Sequence, residues 1–351
     1  MHKFKKYIKS FLCLSLIFML VGCSQNTKEN EQTNQQEPLK RTEMLMGTVI
    51  SVTLFDSTDE TILDKVFDKV SYLEGILSIN ESGTEVDKIN ENAGIEPVKV
   101  SDDTINVVKA GVYYSELSNG KFDVTIGPLV KLWDIPNATT IPTQDQIDSV
   151  IPLTNYKDVV IDESNKTVFL TRPGMMLDLG GIAKGYTADI ISKMLTDNGV
   201  NSAIIDLGGN IFAHGQKPTG DAWKIGIQNP FSTRGEIVGA ISVKNKSIVT
   251  SGIYERFIEV NGVKYHHILN PQTGYPYEND IAGITIISDK STAGDALSTS
   301  VFALGVNEGM KFVEGLDGVD AIFVTKNNGI YLTSGIKDNF DLRDTNFKIM
   351  N

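Results

Sequence analysis

The chain has 351 residues, 41% hydrophobic and 22% charged, which supplies a sizeable core and excludes global disorder. Its 44 acids against 32 bases give a net charge of −12, which argues against a nucleic-acid binder, since that function needs a basic face to displace counterions from phosphates. Two cysteines, Cys13 and Cys23, cannot build a disulfide framework or a thiolate metal site, and four histidines (His2, His214, His266, His267) leave few candidates for imidazole chemistry.

Residues 1–22 begin with Lys3, Lys5, Lys6 and Lys9 and continue in an apolar run from Phe11 to Val21. That run is too short for a comfortable membrane span of ~20 residues and has the order of a signal peptide. It closes on Leu20-Val21-Gly22-Cys23, which resembles a bacterial lipobox; the alternative is an uncleaved membrane anchor. Cleavage would discard Cys13 and leave Cys23 carrying two acyl chains, enough for stable anchoring on the outward, extracytoplasmic face of the cell membrane. Losing the four lysines takes the net charge from −12 to −16. Residues 23–40, the lipidated cysteine followed by the Gln/Asn/Glu/Thr-rich stretch Ser24 to Lys40, then read as a flexible tether, with the folded domain over 41–351.

Alternation at Met46, Thr48, Ile50, Val52 and Leu54 predicts a half-buried strand. Ile62, Leu63, Val66, Phe67, Val70, Leu73 and Leu77 follow at helical spacing, with Ser57 and Thr58 as cap candidates. A second helix is expected from a Ser101 cap to Gly120, and a third over Ala183–Asn198, stopped by Gly199. Strands are expected at Ala203–Leu207, Trp223–Gln228, Glu236–Val243, Ile248–Thr250, Phe257–Val260 and Ile281–Ser288. A fourth helix near Ala293–Leu304 ends at Gly305, and Ala321–Thr325 and Ile330–Leu332 close the chain. Strand runs clustered between helices favour an α+β fold with largely antiparallel sheets.

Asp178-Leu179-Gly180-Gly181-Ile182-Ala183-Lys184-Gly185-Tyr186 precedes the third helix. Its glycines allow close backbone approach, and a helix N-terminus beside Lys184 favours phosphate, yet a plain strand-to-helix turn needs the same glycines. Asp295 and Thr299 lie four apart on one helix face, where carboxylate and hydroxyl suit a hard cation such as Mg²⁺ or simply bond each other. His266 and His267 precede Ile268 and a Pro-x-x-Gly turn; neighbouring strand residues face opposite ways, so only one can reach a cleft as general base. Asp123, between Phe122 and Val124 in Phe122–Trp133, serves either to bind a polar ligand group or to cap a turn. Thr250-Ser251-Gly252, with Tyr254 and Arg256, forms a further polar turn.

Met46-Gly47-Thr48, Phe122–Trp133, Asp178–Tyr186, Leu207-Gly208-Gly209-Asn210, Trp223–Pro230, Thr250–Arg256, His267–Gly274 and Asp295–Thr299 together resemble, in order, the successive motifs of the ApbE family of FAD:protein FMN transferases. The resemblance runs from about Met44 to the C-terminus. It implies a two-part, T-fold-related α+β domain with FAD in the cleft between the parts. It also implies Mg²⁺ on Asp295, Thr299 and the Ala183 carbonyl, and flavin or adenine contacts at Met46, Phe122, Asp123, Val124, Asp178, Lys184 and Ile268. His267 matches the family's base. Where many members carry a stacking Tyr this chain offers Asn80; Ile253 and Asp206 replace a frequent Asp and Asn, and Ser298 stands where some members have a third metal-binding acid.

The activity so implied is Mg²⁺-dependent transfer of FMN from FAD to a threonine of an exported or membrane redox protein, with AMP released. Two alternatives use the same residues differently: hydrolysis of FAD to FMN and AMP, or a flavin- or solute-binding lipoprotein without enzymatic activity.

Overall fold

A computed structural model describes residues 37–351; the lipobox, Cys23 and most of the expected tether lie outside the described residues. Leu39–Leu45 and Thr48–Leu54 pair along their whole length, with Leu45 opposite Thr48. The connecting Met46 and Gly47 both have positive φ, 51° and 68°, the two-residue turn whose twist matches that of the flanking strands. Met46 therefore lies in a hairpin turn rather than in the strand, and the sheet starts at Leu39, inside the stretch expected to be tether.

This hairpin opens a nine-stranded sheet whose strands lie side by side in chain order. They continue through Ser202–Leu207, Asn210–Gly215, Lys246–Gly252, Ile281–Ser288, Val319–Thr325, Gly329–Leu332 and Lys348–Ile349. Every pairing is antiparallel except that between the last two. The expected α+β fold with mainly antiparallel sheet is what forms. Gly208 and Gly209, with φ 70° and 102°, make a second two-residue turn. A Cβ on Gly208 would stand 2.1 Å from Thr48 Oγ1, so the Met46-Gly47-Thr48 and Leu207–Asn210 motifs are two turns packed side by side.

Ile281–Ser288 is buried at all eight positions because both faces of the sheet are covered. Ile284 and Ile286 meet Leu297, Val301 and Phe302 of the helix Ser291–Glu314. Ile287 meets Trp223, Ile225 and Ile241 of a three-stranded sheet built from Trp223–Gln228, Ile237–Val243 and Phe340–Leu342. A second three-stranded sheet, Val98–Lys99, Thr167–Leu170 and Val159–Asp162, backs a separate core around Leu73, Val107, Phe122 and Leu177. Phe257–Val260 and Val263–His266 form a hairpin that joins none of these three sheets.

The first helix, Glu60–Leu77, buries the seven expected apolar positions, and its N-cap is Asp59, whose carboxylate accepts from Thr61 N at 3.0 Å, rather than Ser57 or Thr58. Asp102–Leu117 is capped by Ser101 as expected, but ends three residues before Gly120. The helix Ser291–Glu314 does not end at Gly305; that residue adopts φ 74°, ψ 178° as a kink, and the helix resumes beyond it. Its N-terminus is capped from another helix: the Asp189 carboxylate accepts from Ser291 N at 2.8 Å and Thr292 N at 3.0 Å. Among the described residues no helix is long and apolar enough to cross a membrane.

Candidate active site

The helix Ala183–Asp197 starts without a side-chain cap at Ile182; Ala183 N bonds the Leu179 carbonyl at 2.8 Å, and among the described residues Lys184 N makes no hydrogen bond. Asp178 shapes the approach, accepting from Gly180 N at 2.7 Å and donating its own N–H to Val124 O at 2.8 Å. That second bond ties the glycine loop to the Phe122–Val124 segment. A Cβ on Gly181 would lie 3.0 Å from the Phe122 ring and 3.8 Å from Thr299 Oγ1, so these three positions converge.

Gly185 N would ordinarily bond the Gly181 carbonyl one turn back; instead it donates to Asp295 Oδ2 at 2.8 Å. Among the described residues the Gly181 carbonyl, Asp295 Oδ1 and the Thr299 hydroxyl make no hydrogen bonds. Burial raises the Asp295 carboxyl above its ordinary range, opposed by the charge of Lys184 and the Gly185 bond. A buried acid left with an unused oxygen beside a hydroxyl and a carbonyl is a donor set of three hard oxygens, which suits Mg²⁺. The Ala183 carbonyl differs: it accepts the Thr187 hydroxyl at 2.8 Å inside the helix. The Gly181 carbonyl thus has no partner among the described residues, whereas the Ala183 carbonyl carries the Thr187 hydroxyl. No group of three or more His, Cys, Asp or Glu side chains arranged to hold a metal occurs among the described residues.

The two helices meet this closely because Gly185 has no side chain; a Cβ there would lie 2.3 Å from Ser291 O and 2.8 Å from Asp295 Cβ. Gly185→Ala is expected to cost about 1–3 kcal/mol through overpacking. A urea melt should show that loss, and the displaced Asp295 should lower activity as well; an alanine variant of wild-type stability would contradict the packing described.

His267 follows the Phe257–His266 hairpin, and the Arg256 carbonyl accepts both its main-chain N–H at 3.1 Å and its ring Nδ1–H at 3.2 Å. A carbonyl can only accept, so the proton is on Nδ1 and Nε2 keeps its lone pair. Desolvation first, then the Arg256 charge, pushes the imidazole down to about 3, so it stays neutral at ordinary pH. His266 points the other way, buried with its ring edge on Phe302, Nε2–H donated to Tyr277 O at 2.9 Å and Nδ1 accepting from Ile268 N at 3.3 Å. Burial lowers it to about 4. Two adjacent histidines should therefore carry opposite tautomers. Long-range ¹H–¹⁵N correlation at about pH 5.5, where an ordinary histidine near 6.5 is mostly charged, is expected to show both neutral, with Nε2–H on His266 and Nδ1–H on His267. An imidazolium at either position would contradict it.

Lys184 is the charge common to the site, acting on Asp178, Asp295, Glu255 and His267. The Asp178 carboxyl is raised chiefly by desolvation, against the Gly180 bond and the charges of Arg256 and Lys184. The remaining expected contacts are engaged in structure. Asp123, raised by burial, accepts from Thr125 N and Oγ1 at 2.8 and 2.7 Å and from Tyr156 N at 3.1 Å, and it borders a cavity of about 410 Å³ with Gln272 and Lys157. Val124 packs on Gly111. Ile268 is buried, with its N–H on His266 and its carbonyl accepting from Tyr277 N at 3.0 Å. Met46 holds the hairpin turn by donating its N–H to Glu74 Oε1 at 2.6 Å. Asn80 is exposed, and no side-chain hydrogen bond draws it toward the Asp295–His267 cluster.

Three participants carried no motif strong enough to assign them a role from sequence: Gly181 as the free carbonyl, Arg256 as the anchor of His267, and Ser298. Ser298 Oγ donates to the Asp295 carbonyl at 2.7 Å and so accepts from Ser251 Oγ at 2.7 Å, linking the Thr250-Ser251-Gly252 turn to the Asp295 helix.

The model of the ApbE family matches residues 46–323. A Klebsiella pneumoniae protein named FAD:protein FMN transferase is 38% identical over 308 residues, covering 88% of this chain and 95% of that one. A Treponema pallidum protein of the same name is 34% identical over 326 residues, covering 88% and 90%. Among solved structures, the ApbE protein of Thermotoga maritima superposes with a TM-score of 0.79 at 29% identity, covering 88% of this chain and all of that one. The flavin transferase ApbE of Vibrio cholerae gives 0.75 at 26% identity, covering 86% and 99%. With the expected motifs in order and the glycine loop, the Asp295 helix and His267 gathered around Lys184, the chain belongs to the ApbE family.

Proposed function

We propose that this protein is an FAD:protein FMN transferase that modifies a threonine of an exported or membrane redox protein. The observation that carries the reading is the neutral His267 with Nδ1–H fixed on the Arg256 carbonyl and Nε2 free. The threonine hydroxyl attacks the FMN-side phosphorus of FAD as His267 Nε2 takes its proton. The phosphorus–oxygen bond to the AMP side breaks and AMP leaves, so FMN remains on the protein as a phosphoester. Positioning and charge neutralisation carry such a reaction, without a covalent enzyme intermediate.

Asp295 and Thr299, with a main-chain carbonyl of the glycine loop, Ala183 or Gly181, are the residues that would hold Mg²⁺. The ion would supply Lewis-acid neutralisation of the diphosphate. Lys184 and the uncapped helix N-terminus at Ala183 add positive potential from the protein itself. This local arrangement matters because a chain of net charge −12 cannot attract a diphosphate by bulk charge. The lipobox and Cys23 support placement on the outer face of the membrane, where an exported acceptor would be met.

Chelation tests the metal. With EDTA, transfer should stop and resume on adding excess Mg²⁺; undiminished transfer in chelator would remove the Asp295–Thr299 site from the mechanism.

A further inference from the structure

We propose that the Arg256 guanidinium grips the diphosphate of FAD beside His267. Among the described residues Arg41, Arg172 and Arg343 are each committed to an aspartate, at 2.7, 2.6 and 2.6 Å, which leaves Arg234 and Arg256, and of these only Arg256 is tied to His267. The Arg256 guanidinium is exposed and has no hydrogen bond or ion pair there. Its backbone is nonetheless fixed, because its carbonyl takes both the main-chain and the ring N–H of His267. The side chain therefore starts from a rigid point beside the proton-accepting group.

Its charge reaches Asp178 and His267, two groups that Lys184 also influences. Two cations from separate segments, one opening a helix and one opening a hairpin, thus flank the same ground. Glu255 feels both of them together with Arg234. A positive cluster that includes an uncommitted planar guanidinium matches a diphosphate, whose oxygens an arginine can take two at a time. Positive charge here has a second effect: it adds to desolvation, the larger cause, in disfavouring a charged His267.

The inference rests on the FMN-transfer reading, and the experiment separates the two. FAD and riboflavin, which lacks phosphate, are titrated into the purified protein with flavin fluorescence as the readout. In Arg256→Gln, FAD binding should weaken by about 10- to 100-fold, the range of a hydrogen bond to a charged group, while riboflavin binding stays unchanged. Arg256→Lys should recover only part, since an ammonium lacks the fork. Equal weakening of both flavins, or unchanged FAD binding, would overturn the proposal. If the glutamine variant fails to fold, the lysine variant decides: a selective FAD deficit supports the proposal and its absence overturns it. A wild-type protein that does not bind FAD would overturn the transfer reading itself, and this inference with it.

Discussion

Replacing His267 with alanine is expected to lower FMN transfer by on the order of 10²- to 10⁴-fold while leaving FAD bound, the size of effect a positioned general base supplies. The reasoning is geometric. His267 is half-buried, its Nδ1–H is spent on the Arg256 carbonyl, and its Nε2 stays free within the influence of Lys184 and Arg256. No hydrophobic core cluster includes it, so the alanine variant should melt close to the wild type. His266→Ala provides the contrast. That ring is 8% exposed, packs on Phe302 and satisfies Tyr277 O, so its loss leaves a cavity and an orphaned carbonyl. The neighbour should therefore lose stability first and activity through it. Equal melting temperatures with equal activity loss in both variants would contradict the assignment of the base.

Asp295→Asn is expected to reduce transfer by on the order of 10²- to 10³-fold, the cost of removing one preorganised electrostatic group at a reacting centre. An asparagine oxygen can still accept from Gly185 N, so the two helices stay docked. What disappears is the charge that a metal ion needs. Because burial raises the Asp295 carboxyl, its ionised form costs stability in the free protein, and the asparagine variant should melt no lower than wild type. Activity and stability are thus expected to move in opposite directions, which calorimetry beside a transfer assay would show. A lower melting temperature with intact Mg²⁺ dependence would make Asp295 a structural residue only.

Where the chain repeats a strong periodicity or carries a strong local signal, reading it was enough. The first helix, the Ser101 cap, the Ile281–Ser288 strand and the antiparallel α+β character follow from spacing and cap chemistry alone. The alternation argument also separated the two histidines, which do face opposite ways. Val98–Lys99 and Val159–Asp162, by contrast, are too short for a period to emerge. Gly305 has the look of a helix stop, but the buried Val313 and Gly309, tight against Phe323, draw the chain back into helix beyond the kink.

The site was legible as a set of segments and less so as a set of atoms. That the Gly181 carbonyl loses its helical partner is decided by Gly185 N turning to an aspartate 110 residues away, which no local signal shows. Asp189 capping a distant helix and Ser251 meeting Ser298 are likewise tertiary facts without a local signature. Arg256 was visible only as part of a polar turn; its bearing on His267 appears once the hairpin closes.

The central claim is that the flavin moves from FAD to a protein hydroxyl. It is tested most directly by intact-protein and peptide mass spectrometry of exported redox proteins incubated with this enzyme, FAD and Mg²⁺, with AMP quantified in the same reaction. The expected result is an FMN adduct on a threonine and one AMP released for each adduct formed. FMN and AMP accumulating free in solution, with every acceptor threonine unmodified, would contradict it.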